Sequence, residues 1–537
     1  MNPGTRADVS PGAGWSGLVR PYAPCPIPAD PVRGRSESGG IGGDDGDGEL
    51  PGHTTAGQRG AGGRGLLLTP PDHPARALPR VLGRANAGPP DLIALDSPDA
   101  RYHFHVIGRT GVGKSTWLAN YVLGEARAGR GVALIDCQGD LSRKVLDRLP
   151  AECGDRLVIL DPAEQAAPPA YNPLAPDCDD PTGQAGEWAA EHLVGTFRAL
   201  YAASWGARME DFLRGACLTL VRRPDSTLAD ILALLTDAPF RRDVLDQYGT
   251  PEGLGTLWAD FEALTPSARS NLCAPLVTRL RGVLSRRFAR ELLTPAESTL
   301  NLGQVLDGGV LVARLPKGEI GAETSRLISG LLISGLWGHT ARRSSLDEDQ
   351  RPDASILLDE AQNALSLPVD VDLALAESRG YRVSWVLAHQ HGDQIPPKVA
   401  AAIAANARNK VIFSVEPDDA RKLVRHVRPW LTEHDLSARP AWEICARTVA
   451  GGHDQQPYTL DALPLPAPIA GRADYLRARA RARTGLPRRR RRAGQRPAGA
   501  RSTEAAAASS TPPDTRRRRS RLATEPPAHD ANPAQRA

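Results

Sequence analysis

The stretch His103-Phe-His-Val-Ile-Gly-Arg-Thr-Gly-Val-Gly-Lys-Ser-Thr116 decides the fold. Its first five residues form a short β-type run, and residues 108–115 match the pattern G-x-x-x-x-G-K-[ST] completely. Residues 115–127 then read as a helix that Gly129-Arg-Gly131 stops. Strand, glycine loop and helix in that order let backbone N–H groups wrap a phosphate, and the helix N-terminus adds partial positive charge. The expected cradle is Gly108, Arg109, Thr110, Gly111, Val112, Gly113, Lys114, Ser115 and Thr116. Lys114 would reach the β- and γ-phosphates of ATP, and the Ser115 hydroxyl would ligate Mg2+.

A second strand end should bring carboxylates to that phosphate. Ser355-Ile-Leu-Leu-Asp359-Glu360 provides them: an apolar-leaning run, then two acids. Asp359 would belong to the Mg2+ shell, and Glu360 would polarise the attacking water as general base, which favours a hydrolase over a kinase. The next run, residues 383–388, leads into His389-Gln390-His391. Gln390 is placed to sense the γ-phosphate, whereas the two histidines read as surface polar residues without a catalytic or metal role. Arg379 lies between these segments, where it could face a neighbouring subunit's nucleotide as an arginine finger. In a chain with 60 Arg, surface decoration is the competing reading.

Outward from these motifs, apolar runs at 132–136, 157–160, 310–315, 355–359, 383–388 and 410–415 are separated by helical stretches. That alternation predicts an α/β fold with a mostly parallel sheet covered on both faces. Residues 180–300 read instead as a run of helices with caps and breaks, an all-helical insertion in which Ser226 is a candidate N-cap. The uncharged apolar stretch 327–341 fits a buried helix whose Gly330, Ser334 and Gly338 allow close packing. Its 15 residues fall short of the ~20 needed to span a bilayer. Residues 1–85, rich in Gly, Pro and Asp, and residues 467–537, rich in Arg, are expected to be disordered. The two parts of the nucleotide-binding domain then fall at 86–179 and 301–466.

The 537 residues allow two to four domains. Residues 471–537 carry 18 Arg against five acids, a local charge of +13, which leaves −9 on the preceding residues for a total of +4. Such a tail is open to three readings: a codon-biased disordered end, a non-specific DNA tether, or a contact with anionic membrane. Seven scattered cysteines without metal spacing argue against zinc and against a disulfide framework. They suit a reducing cytoplasm, as does the lack of an apolar h-region in residues 1–30.

The segments GRTGVGKST, GRGVALIDCQGDL, YNPL (171–174), LLDEAQNAL and LAESRGYRVSWVLAHQ together resemble the HerA–FtsK class of P-loop motor ATPases, whose fold is RecA-like. Within that class the chain looks most like the conjugative type IV coupling proteins and their TraG-like or TraD-like relatives. The resemblance spans about residues 100–430. It implies phosphate and Mg2+ binding by Lys114, Ser115 and Asp359, water activation by Glu360, γ-phosphate sensing by Gln390 and a trans role for Arg379. It also implies a homo-hexameric ring, DNA of unspecified strandedness in its pore, and a secretion channel or relaxase as partners. The location would be cytoplasmic, with peripheral contact at the inner face of the membrane left open. The segment Asp136-Cys-Gln-Gly-Asp140 departs from the Asp-Pro-His/Lys-Gly-Asp of many relatives, so Asp136 and Asp140 are weak candidates only. Two alternatives stay open: a HerA-like DNA-processing motor, and a nucleotide-dependent scaffold that does not translocate.

Overall fold

The computed structural model describes residues 74–87, 90–175, 184–363 and 371–486. Among these residues eleven strands form the main sheet: β1 (Arg80–Ala85), β2 (Leu92–Leu95), β3 (Phe104–Ile107), β4 (Gly131–Asp136), β5 (Leu157–Leu160), β6 (Val310–Arg314), β7 (Ala354–Asp359), β8 (Val383–His389), β9 (Asn409–Ile412), β10 (Glu443–Arg447) and β13 (Tyr458–Asp461). A small ribbon of β11 (Val449–Ala450) and β12 (His453–Asp454) stands apart. The spatial order is β2-β1-β13-β10-β9-β3-β8-β7-β4-β6-β5. The strands from β9 to β5 run parallel, and β10, β13, β1 and β2 add an antiparallel extension.

The parallel strands are buried along their whole length, as their continuous Val, Ile and Leu content requires when helices cover both faces. Helix Lys114–Arg127 leaves the end of β3 and packs Trp117 and Tyr121 against Phe104, with ring centroids 6.0 and 5.3 Å away. A buried ion triad anchors the same helix. Glu125 meets Arg80 of β1 at 3.0 Å and Arg130 at 2.6 Å, and the Ser355 hydroxyl of β7 donates to it at 2.8 Å. The helix is therefore tied to two strands of the sheet.

Residues 184–293 are occupied by helices joined by short connections. One of them, Leu228–Thr236, is capped by Thr227 rather than by Ser226. Thr227 and Asp230 form a reciprocal capping box, and the Ser226 carbonyl is instead used by Asn172. The long helix Ala322–Arg342 lies against helix Gln184–Leu200. A Cβ at Gly330 would stand 3.0 Å from Thr196, one at Gly338 would stand 3.0 Å from His192, and Ser334 lies 3.3 Å from Thr196. The small-residue stripe is what lets these two helices approach. No helix among the described residues is long and apolar enough to cross a membrane.

Two segments expected to be structureless are ordered. Strand β1 lies inside the first, and buries Leu82 and Arg80. Helix Arg472–Thr484 lies inside the second. Its Leu476 and Ala480 are buried in the same core as Cys153 and Leu157. Its arginines are matched by acids of the body: Arg477 with Asp161 at 2.7 Å, Arg481 with Glu164 at 2.6 Å, and Arg479 with Asp155. Charge density hid a narrow i, i+4 apolar stripe, and five arginines of the supposed tail belong to the folded body. The rest of the expected disordered ends, apart from these segments and the flanking residues already delimited, lies outside the described residues.

Candidate functional site

Because β3, β7 and β8 are parallel neighbours, the loops after them leave the same edge of the sheet. β3 turns through Gly111 (φ 84°) and Gly113 (φ 109°) into the helix that starts at Lys114. Gly113 is required twice over. Its left-handed backbone suits only glycine, and a Cβ there would sit 2.8 Å from Cε3 of Trp442.

Glu360 follows the last residue of β7 and has φ 57°, a left-handed conformation uncommon for a residue with a side chain. The turn places its carboxylate 3.5 Å from Lys114 Nζ. Gln390 Nε2 donates to the same oxygen at 2.5 Å, and Gln362 Nε2 donates to the other at 2.6 Å. The Thr110 hydroxyl then donates to Gln390 Oε1 at 2.8 Å. Thr110, Gln390, Glu360 and Lys114 thus link three loops in one hydrogen-bonded arc, although Lys114 and Glu360 are 246 positions apart.

The two acids are in opposite electrostatic conditions. Burial alone would raise the Glu360 carboxyl, but Lys114 and the amide donors outweigh it and draw it below the ordinary glutamate value. Asp359 is pushed up to about 7, by burial first and then by the Asp136 charge, with Lys114 pulling the other way. Asp136 and Asp359 are direct partners across β4 and β7. Asp359 Oδ1 is buried without a hydrogen-bond partner. An orphaned carboxylate oxygen beside a second buried carboxylate fits a divalent cation, which would offset the repulsion. Ser115, half-buried on the first helical turn, is the other candidate ligand.

Of the two weak candidates, Asp136 has a different occupation. Its carboxylate accepts from the backbone N–H groups of Gln138, Gly139 and Ser142 at 3.0, 2.6 and 2.8 Å, which caps helix Asp140–Leu146. Asp140 is exposed beside Arg143. Arg109 points away from the arc: its guanidinium donates to Ser414 Oγ at 2.5 Å and to the Ser437 carbonyl at 3.3 Å. Val112 offers its carbonyl to the Trp442 N–H at 2.9 Å, and Thr116 is buried.

Arg379 is not brought to this edge. It is exposed and stacks over the ring of Tyr102, 4.0 Å from the centroid, just before β3 begins. Within one chain it therefore lies at the far end of the parallel strands. His389, expected at the surface, is instead buried and pairs ring to ring with His105, Nε2 to Nε2 at 2.7 Å. Burial pushes His389 down to about 4, so one ring donates and the other accepts. Gln362 and Trp442 were not singled out in the sequence. Gln362 carried a signal in its position two residues past the acids, whereas Trp442 carried none.

No protein-family model matches the chain, and no curated sequence matches it. Solved structures do. The bacterial conjugative coupling protein TrwBdeltaN70 in its unbound monoclinic form superposes with a TM-score of 0.51 at 16% identity, covering 73% of this chain and 91% of that one. Its trigonal form in complex with sulphate gives 0.50 at 16% identity, covering 80% and 99%. The fold resembles that of a conjugative coupling protein. VirB4 of Thermoanaerobacter pseudethanolicus is more distant, with a TM-score of 0.47 at 18% identity over 72% of this chain and 96% of that one.

Proposed function

We propose that this chain is an ATP-hydrolysing motor that moves DNA in conjugative or mobile-element transfer. The observation that carries the reading is the arc from Thr110 through Gln390 and Glu360 to Lys114, built on the phosphate-binding loop. An incoming triphosphate competes with Glu360 for Lys114, which turns toward the β- and γ-phosphates. The backbone of residues 108–115 wraps the phosphate chain. Ser115 and Asp359 would hold Mg2+, which when bound draws off charge from the β- and γ-phosphate oxygens.

Glu360, freed of Lys114, keeps its two glutamine donors and accepts a proton from a water placed in line with the γ-phosphorus. The water oxygen bonds to that phosphorus as the bond to the β–γ bridging oxygen breaks, which gives ADP and phosphate. Gln390 touches both Glu360 and Thr110, so a change at the γ-phosphate position passes through it to the loop after β8. The likeness in fold to TrwB supports the assignment to transfer motors. Arg379, exposed at the opposite edge, is offered as the group that completes a neighbour's site in a homo-hexameric ring.

The test is the ATPase rate without DNA, with single-stranded DNA and with double-stranded DNA, beside imaging of the particles. Stimulation by either form of DNA together with ring-shaped particles supports the motor. Hydrolysis indifferent to DNA, with a Glu360→Gln variant that stays as rings on DNA, overturns it in favour of a nucleotide-timed scaffold.

A further inference from the structure

Lys114 and Glu360 mark the γ-phosphate end of the site, on the side of β3 occupied by β8 and β7. The rest of a nucleotide must therefore lead toward the other side of β3, where β9 and then β10 lie. Trp442 is the residue that enters β10. Among the described residues it is one of the few large apolar side chains left open, 47% exposed. Its backbone is held in the left-handed region at φ 73° by two bonds: its N–H donates to the Val112 carbonyl of the phosphate loop at 2.9 Å, and its carbonyl accepts from Ala462 at 2.7 Å. The six-membered part of the indole covers Gly113, the glycine immediately before Lys114.

We infer that Trp442 is the platform on which the base of the nucleotide stacks, a binding residue that no phosphate motif includes. The inference rests on the nucleotide-binding reading above. The backbone of Trp442 is tied to the phosphate loop and its ring lies over Gly113, so an open aromatic surface stands beside the phosphate cradle, and every base has a π-face to offer it. Contact through a π-face reads shape and stacking strength rather than hydrogen-bond pattern. The preference is therefore for purine over pyrimidine, with little discrimination between adenine and guanine.

The test compares ADP with inorganic pyrophosphate, which lacks base and ribose, by calorimetry on the full chain with Mg2+ present. Trp442→Ala should weaken ADP roughly 5- to 100-fold and leave pyrophosphate within about two-fold. Trp442→Phe, which keeps a ring, should recover most of the ADP affinity, whereas Trp442→Leu should not. Retained pyrophosphate binding shows that the loop is still folded. If ADP and pyrophosphate weaken together, Trp442 is a prop for the loop, and if neither changes it is no part of the site; either outcome overturns the inference. If the wild-type chain binds neither ligand, the nucleotide-binding reading falls first, and this one with it.

Discussion

Glu125→Gln tests how the phosphate loop is anchored. Glu125 projects from the helix that Lys114 begins, and both it and Arg130 are 1% exposed, with Arg80 at 2%. Glutamine keeps the shape but removes the charge that pairs directly with both guanidinium groups, leaving the unpaired Arg80 and Arg130 with only the through-space field of Asp353. Burial alone would raise the Glu125 carboxyl; Arg130 and Arg80 overcome that and hold it below its ordinary 4.5. Breaking a buried pair by removing one partner costs about 3–5 kcal/mol. Here one anion serves two cations, so the upper part of that range is expected, a large share of a typical stability of ~5–15 kcal/mol. Urea unfolding is the assay, since urea leaves ionic strength unchanged. The sign follows from the lowered carboxyl. Its stabilisation is complete above the ordinary glutamate value and is lost as pH falls through the depressed folded value. The gap between wild type and variant should therefore be flat from pH 8 to pH 5 and close on further acidification. A gap under about 1 kcal/mol at pH 7, or one indifferent to acid, would mean that Glu125 does not hold the two guanidinium groups in this way.

Two further outcomes are expected. In EDTA, Asp359→Asn should gain stability over wild type as pH rises. A carboxyl raised from 3.8 to about 7 stabilises the fold below the first value and loses that advantage through the second. The gain should reach about 4 kcal/mol by pH 8 in urea unfolding, and no pH-dependent gain would contradict the burial of that charge beside Asp136. Leu476→Ala should cost about 2–5 kcal/mol, because Leu476 is fully buried under helix Arg472–Thr484. A loss below about 0.5 kcal/mol would mean that the helix is not docked.

What the sequence revealed and what it hid have physical causes. The loop at 108–116 and the run ending in Asp359-Glu360 were legible because their chemistry needs fixed residue types at fixed spacing. The parallel strands were legible because burial on both faces writes an unbroken apolar run. The antiparallel extension was not: β1 and β13 are short, and their pairing depends on partners far away in the chain. Helix Arg472–Thr484 was masked by arginines whose acids, Asp155, Asp161 and Glu164, lie more than 300 residues earlier. Asp136 is a weak candidate in the sequence, in a post-strand segment that departs from the family's pattern, and its oxygens are taken up by backbone N–H groups. Gln390 stands out by its place after the strand that follows the acidic pair, and hydrogen bonds join it to Glu360 and Thr110. Arg379 lies between the acids and β8 in the sequence, yet the fold sets it over Tyr102, away from the arc.

If the lysine loop and Glu360 act on one triphosphate, binding and hydrolysis must separate when Glu360 is changed. Equilibrium ATP binding and single-turnover hydrolysis should be measured side by side for wild type and Glu360→Gln. Binding should stay within about three-fold, while hydrolysis falls by about 10²–10⁴ as the base for water is lost. Hydrolysis that survives the change, or a wild-type chain that binds no ATP, would contradict it.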